Sequence, residues 1–305
     1  MPPDSIPEPV RRLLAERRAA REAHDWPRAD ALRAEIGALG WEVQDGRGRS
    51  TARPILAPTP VADDQPLLDG PAGVEIAIQV AAEDHADDLA RCLRGLAAHP
   101  PSVTWELLVI DNRAEFDVAA QLAAAELPIE PIILRSSERL GWADARTLGM
   151  RRSRGEVTVL LDTSLEPTGD FVTPLLAAFD DPVVGIAGGW GVTSRNGREF
   201  TDAPPGEVDA IEGYCLAIRR EALRAVGGFD RRFRFYRNAD LDLSFAVRAA
   251  GWRAQRTEPL PMERHEHRGW ASVPEAERDR LSKRNFYRFL EHWGDRRDLL
   301  LNSDE

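Results

Sequence analysis

From residue 74 to residue 187 the chain alternates short apolar runs with longer amphipathic ones, and this alternation restricts the fold more than any other feature. Apolar runs of strand length fall at 74–80, 105–111, 131–135, 157–162 and 183–187. Helical patterns lie between them at 85–99, 116–127, 141–152 and 171–179. In the first of these helices Leu89, Leu93 and Leu96 share one side. The strand runs are apolar almost throughout, so both of their faces need cover. This order predicts an α/β fold with a mainly parallel central sheet and helices on both faces. In such sheets a ligand sits beyond the carboxyl ends of the strands. Asp111 and Asp162 each close a strand at that end. Two carboxylates on one rim suit a ribose hydroxyl, a cation carried by a diphosphate, or both. The alternative is that each only caps the turn after it.

The second half is less regular. Residues 211–218 read as one strand, 220–225 as a helix and 252–257 as a strand. Residues 239–250 read as a helix opened by Asp240 and Asp242, and 274–293 as a long closing helix. Ahead of the sheet, residues 10–24 read as a helix, and Asp25 can cap a second one with Pro27 in its first turn. Leu32, Ile36 and Leu39 give that helix an apolar face, Gly40 stops it, and 41–45 reads as a short extended piece. Pro54, Pro58, Pro60, Pro66 and Pro71 mark a linker. The expected organisation is a helical hairpin at 1–46, a Pro-rich linker at 47–72 and one α/β domain at 73–305. A net charge of −11 argues against broad binding to nucleic acid or an anionic membrane. Cys92 and Cys215 sit within apolar patterns and read as buried, reduced thiols. No apolar run reaches the length of a membrane span, and no basic-then-apolar leader opens the chain, so the expected location is cytoplasmic.

Residues 74 to about 270 resemble family 2 glycosyltransferases, which have the GT-A nucleotide-diphospho-sugar transferase fold. The pieces that carry this fall in order. Leu89-Ala90-Arg91-Cys92-Leu93 is similar to the opening helix, and Leu108-Val109-Ile110-Asp111-Asn112 to the second strand with its nucleotide-contacting Asp. Gly141-Trp142-Ala143-Asp144-Ala145-Arg146 with Gly149 resembles the helix before the metal-site strand, and Leu160-Leu161-Asp162 that strand itself. Gly213-Tyr214-Cys215 through Gly227-Gly228-Phe229-Asp230 resembles the acceptor-side segment, and Asp240-Leu241-Asp242-Leu243-Ser244 the catalytic element. The chain also departs from the family pattern. The metal motif Asp-x-Asp reads Asp162-Thr163-Ser164, and the acid before the catalytic Asp is Ala239.

The resemblance implies a nucleotide-diphosphate sugar as donor, inversion at the anomeric carbon and an unidentified acceptor hydroxyl. It makes Asp240 the general base. Asp111, Arg146, Asp162, Ser164, Arg264 and Arg268 become candidates for holding the nucleotide-sugar. A divalent cation, Mn2+ or Mg2+, would be bound by Asp162 with His265 or His267. These two histidines are two residues apart, so in an extended segment they share a face. Trp142, Trp190 and Trp270 are candidates for stacking on a base or sugar. Two readings remain open beside an active enzyme. One is a non-catalytic GT-A-like scaffold, favoured by Ser164 and Ala239. The other is tRNA association, because the first fifty residues resemble the C-terminal segment of cysteinyl-tRNA synthetases. That match runs through Arg17-Arg18-Ala19-Ala20-Arg21, Asp25-Trp26-Pro27-Arg28-Ala29-Asp30, Leu32-Arg33 and Leu39-Gly40, to Asp45 and Gly46. It implies a hairpin that docks a protein or RNA partner, and the balanced charge of the segment favours an interaction module over a tRNA site.

Overall fold

A computed structural model describes residues 6–46, 49–54, 70–136 and 138–303. Helices α1 (Glu8–Glu22) and α2 (Trp26–Ala38) precede a hairpin of β1 (Trp41–Gly46) and β2 (Arg49–Pro54). Asp25 caps α2 by accepting the N–H of Arg28 at 3.1 Å, and Gly40 turns the chain at φ +79°. Val10, Leu13, Leu32, Ile36 and Val43 close a small core. Arg17 is buried beside that core and forks onto Asp45, with both nitrogen–oxygen distances 2.8 Å.

Strand β2 departs from the expected linker. It pairs antiparallel with β1, setting Val43 opposite Ala52, and both of these side chains are buried. Cross-strand burial therefore recruits residues that proline counting assigns to a spacer. Residues 47–48 and 55–69 of that linker lie outside the described residues.

The larger domain begins with β3 (Val74–Ala82), α3 (Ala86–Ala98), β4 (Trp105–Asp111), α4 (Val118–Ala124) and β5 (Ile132–Arg135). It continues through α5 (Trp142–Arg152), β6 (Gly155–Leu161), β7 (Leu165–Pro167), α6 (Val172–Ala177) and β8 (Val184–Gly188). Short strands follow: β9 (Gly191–Thr193), β10 (Thr201–Asp202), β11 (Gly206–Val208), β12 (Ala210–Ile211) and β13 (Cys215–Arg219). The last elements are α7 (Arg220–Val226), α8 (Ala239–Ala249), β14 (Arg253–Arg256), β15 (Met262–Arg264), α9 (Arg268–Ala271) and α10 (Glu275–Trp293).

Eight strands form the main sheet in the order β11-β14-β8-β13-β6-β3-β4-β5. Strands β5, β4, β3 and β6 are mutually parallel, as expected. Beyond them the sheet is mixed: β13 runs antiparallel to both β6 and β8. Side chains alternate between two covered faces. On β4, Leu107 and Val109 pack with Leu89, Leu93 and Leu96 of α3, whereas Leu108 and Ile110 pack with Ala145 and Leu148 of α5. On β13, Leu216 and Ile218 meet Leu223 of α7 and Leu243 of α8. Cys92 and Cys215 are free and fully buried, and burial pushes both thiols up.

One expected strand divides. Residues 211–218 become β12 and β13, separated by a turn at 212–214. The N–H of Gly213 leaves the ladder and donates to the Asp240 carboxylate at 2.9 Å.

Two outcomes follow from this packing. A Cβ at Gly95 would lie 2.7 Å from both Cδ and the carbonyl oxygen of Pro167. Gly95→Ala is expected to cost roughly 1–3 kcal/mol in urea unfolding, since backbone cannot yield as a side-chain tip can. In the hairpin, the hydrogen bond from Arg17 holds the Asp45 carboxyl well below the ordinary range. A carboxyl depressed in the folded state stabilises above its unfolded value of about 4 and loses that contribution as pH falls further. Hydrogen-exchange protection across α1 and α2 of the full chain, taken relative to the intrinsic rate at each pH, should therefore fall below about pH 4, and Asp45→Asn should remove that pH dependence.

Candidate functional site

The carboxyl ends of β3, β4 and β6 carry Glu83, Asp111 and Asp162. Asp162 follows β6 directly, and its N–H donates to the carbonyl of Tyr214 at 2.9 Å. Its Oδ1 accepts from both the N–H and the hydroxyl of Ser164, at 2.9 and 2.6 Å. Its Oδ2 faces Nε2 of His267 at 3.5 Å. Burial works to raise this carboxyl, but His267 and the two Ser164 bonds outweigh burial and bring it down to about 2. His267 precedes α9, and its Nδ1 accepts the N–H of Trp270 at 3.1 Å. The proton of the neutral ring therefore lies on Nε2, toward Asp162. Burial lowers the His267 pKa, and Asp162 more than offsets this, leaving it raised. The Trp270 N–H opposes that shift, because a doubly protonated ring cannot accept it.

Asp240 opens α8. Its Oδ2 accepts from the N–H of Gly213 at 2.9 Å and its Oδ1 from the N–H of Leu241 at 3.0 Å. Burial raises its pKa, and the backbone donors only partly oppose this. Asp162 and Asp240 border one cavity of about 380 Å³, together with His267, Glu212, Trp142, Tyr214 and Tyr236. His267 stacks on Tyr236 with ring centres 4.7 Å apart. A smaller cavity of about 40 Å³ adjoins at Asp162 and His267 and is bordered by Glu83, Arg146, Ser164 and Arg268.

The other candidates are distributed as follows. Arg146 is buried, donates to Glu83 at 2.8 Å and lies over the Trp142 ring at 4.7 Å. Arg268 bonds Asp88 at 2.8 Å and Asp87 at 3.2 Å, leaving a buried Nη2 with no partner among the described residues. Arg264 is exposed and covers Tyr214 at 5.0 Å. Asp111 is buried, accepts from Arg135 at 2.8 Å and from the N–H of Ala114 at 3.1 Å, and borders neither of these cavities. Asp242 leaves the site altogether, bonding His292 at 2.9 Å and Trp293 at 2.8 Å on α10.

The two histidines diverge, against the expectation of a shared face. His265 bonds Glu166 at 2.9 Å and gathers with Glu166 and Glu263, while His267 alone faces Asp162. The chain bends from β15 into α9 between them, so the parity of an extended strand no longer applies. Among the tryptophans, Trp142 borders the cavity, Trp190 meets Tyr214 edge-on and Trp270 stacks on Phe235. Sequence reasoning overlooked Glu83 and Glu212. Glu83 carries the strand-tip signal of Asp111, an acid just beyond β3. Glu212 has no such signal, because it falls inside an apparent strand.

Residues 76–260 match the family described as Glycosyl transferase family 2, which is more than half of the chain. The chain belongs to this family. Residues 4–53 match the Cysteinyl-tRNA ligase anticodon binding domain. A pre-mycofactocin glycosyltransferase of Mycobacterium tuberculosis is 26% identical over 268 residues, which covers 81% of this chain and 52% of that protein. The chain thus spans about half the length of this curated relative. A cysteine–tRNA ligase of Phenylobacterium zucineum is 59% identical over 44 residues, covering 14% of this chain and 9% of the ligase. In structure the chain is similar to GalNAc-T7 solved with UDP, GalNAc and Mn2+, with a TM-score of 0.59 at 15% identity. That likeness covers 74% of this chain and 50% of the other, and it shows the GT-A fold.

The family 2 strand tip thus holds one carboxylate, one hydroxyl and a facing imidazole. Carboxylate and imidazole are suitable donors for a divalent cation such as Mn2+. Ligation by Nε2 requires the ring proton to move to Nδ1 and the Trp270 bond to break. Ser164 spends its hydroxyl on Asp162. Ser164→Asp should strengthen Mn2+ binding at least about tenfold by calorimetry, since a second carboxylate suits a hard cation. The same variant should be less stable than wild type without Mn2+, because two carboxylates then face each other.

Proposed function

We propose that this chain is a glycosyltransferase that moves a sugar from a nucleotide-diphosphate donor to an acceptor hydroxyl with inversion. The observation that carries this reading is that Asp162 and Asp240 border one cavity with opposite pKa tendencies. Two carboxylates driven apart by their surroundings can divide charge stabilisation from proton transfer.

The diphosphate would lie on the rim between the two cavities, where Arg146 and the unpartnered Nη2 of Arg268 supply positive charge. Asp162 and His267 would hold a divalent cation, whose chemistry is to stabilise the growing charge of the departing diphosphate. Ser164 orients Asp162 through its two bonds. Asp111, buried against Arg135 and bordering neither cavity, would serve the nucleoside side only from behind the rim. Arg264, beside Tyr214, adds positive charge near the same rim. Asp240 takes the proton of the acceptor hydroxyl as that oxygen bonds to the anomeric carbon. The bond from carbon to diphosphate breaks in the same step, and its electron pair leaves with the diphosphate. A single displacement from the opposite face inverts the centre.

A second reading, a GT-A-like scaffold, is favoured by the Ser164 hydroxyl in place of an acid and by Ala239 before Asp240. Calorimetry with uridine, guanosine and thymidine diphosphates, with and without Mn2+, separates the two, since the enzyme must bind one of them. For the N-terminal module we favour a docking role over tRNA binding. Arg17 and Arg21 are both held by Asp45, and Arg28 lies by Glu16 and Glu35, so much of its basic character is neutralised internally.

Asp240→Asn should reduce turnover at least about a hundredfold while nucleotide affinity stays near wild type. Asp240 is protonated below its raised pKa, so wild-type kcat should rise with pH through a value above the ordinary aspartate range. An Asp240→Asn enzyme that turns over at the wild-type rate rules out this base.

A further inference from the structure

The turn at 212–214 spends its backbone on the two aspartates of the site, on the side chain of one and the main chain of the other. The N–H of Gly213 holds Asp240, and the carbonyl of Tyr214 accepts the N–H of Asp162. The N–H of Glu212 is also used, donating to the carbonyl of Trp190 at 3.0 Å. The Glu212 side chain is not. It is half-buried on the wall of the 380 Å³ cavity, and it makes no hydrogen bond or ion pair among the described residues.

The nearby cations act on it only through space and make no ion pair with it among the described residues. Arg264 lies over Tyr214 at 5.0 Å, and Arg237 lies over Trp270 at 5.6 Å. Burial raises the Glu212 pKa and the nearby carboxylates of Asp240 and Asp202 add to the rise, which Arg264 and Arg237 only partly offset. A half-buried carboxylate that makes no bond to the protein keeps its acceptor capacity for whatever enters the cavity. Glu212 and Asp240 flank Gly213, so a group held by Glu212 arrives next to the base.

The chemistry of that group is restricted. Two carboxylates on one wall repel a phosphate or a carboxylate. Arg198 and Arg237 also border the cavity and disfavour a cation. Hydroxyls satisfy all of these groups, because a carboxylate accepts from them and an arginine donates to them. Tyr214 and Tyr236 supply apolar ring faces beside the polar groups.

Resting on the glycosyltransferase reading, we infer that Glu212 accepts a hydrogen bond from a second hydroxyl of the acceptor, and that the acceptor unit reaching Asp240 is an uncharged, polyhydroxylated saccharide. Glu212 thereby selects the acceptor, setting one of its hydroxyls against the base and excluding phosphorylated sugars.

The test uses the full chain loaded with nucleotide diphosphate and Mn2+. Ligand-observed NMR titrations measure methyl glucoside, maltose, glucose 6-phosphate and glucosamine. Wild type should bind a neutral sugar at least about tenfold more tightly than the phosphate. Glu212→Gln should weaken the neutral sugar and narrow that ratio, a change in selectivity that a merely structural role would not produce. Nucleotide affinity, measured on the same samples, should stay at the wild-type value in Glu212→Gln. The inference is overturned by tighter binding of glucose 6-phosphate or glucosamine than of the neutral sugars. It is equally overturned if the nucleotide-loaded chain binds neither neutral sugar, or if Glu212→Gln keeps the wild-type ratio. Failure to bind any nucleotide would sink the glycosyltransferase reading itself, which separates the two failures.

Discussion

Two backbone hydrogen bonds from one turn hold the site together. Gly213 donates to Asp240, and Tyr214 accepts from Asp162. The donor and the acceptor belong to adjacent residues, so covalent geometry limits how far the two aspartates can move relative to each other. Asp162 stands at the tip of β6 and Asp240 in the first turn of α8, and the turn joins the main chain of the first to the side chain of the second. The register of β13 against β6, with Cys215 opposite Leu161, continues this tie into the sheet. The turn also displays Glu212 toward the cavity. A break in what resembles a single strand thus organises the site.

The same residue type takes opposite electrostatic roles across that turn. Asp162 receives Ser164 and His267 and remains ionised. Asp240 receives two backbone donors, but burial dominates and raises it. The departure of the family motif, Ser164 in place of an acid, is part of this arrangement. A second carboxylate there would repel Asp162, whereas the hydroxyl donates to it at 2.6 Å. The Ser164 hydroxyl stabilises the charge of the Asp162 carboxylate. Asp242, two residues from Asp240, serves packing: its bonds to His292 and Trp293 fasten α10 against α8. Asn285 adds to this by donating to the carbonyls of Phe235 and Arg237 just ahead of α8.

Arg135 ties the N-terminal module to the larger domain. Arg135 donates to Asp111 at the strand tip and to Glu42 on β1. The module itself is held by a buried cation, Arg17, whose partner Asp45 lies on the hairpin strand. An uncompensated charge in so small a core would be destabilising, so Asp45 and β1 are structural necessities for the two helices. Strand β2 adds Ala52 opposite Val43 and a hydrogen bond from Ser50 to Asp45 at 2.7 Å, which carries the module past the expected hairpin boundary.

Much of the framework was legible in the residues because it depends on local rules. Apolar runs mark β3, β4, β5, β6 and β8, Asp25 caps α2, Gly40 ends its turn, and the ordered family motifs carry the GT-A assignment. Each of these signals lies within a few residues of the structure it specifies. The site depends on pairings between distant segments, which no local period records. The division of residues 211–218 arises because Asp240, far along the chain, captures one N–H. The separation of His265 from His267 arises because each meets a different acid from the β6–β7 region, Glu166 for one and Asp162 for the other. Sequence alone determined the order of elements and the residue types at the strand tips. Tertiary structure decided which carboxylates share a cavity and which is held ionised, because burial and hydrogen-bond partners exist only once the segments meet.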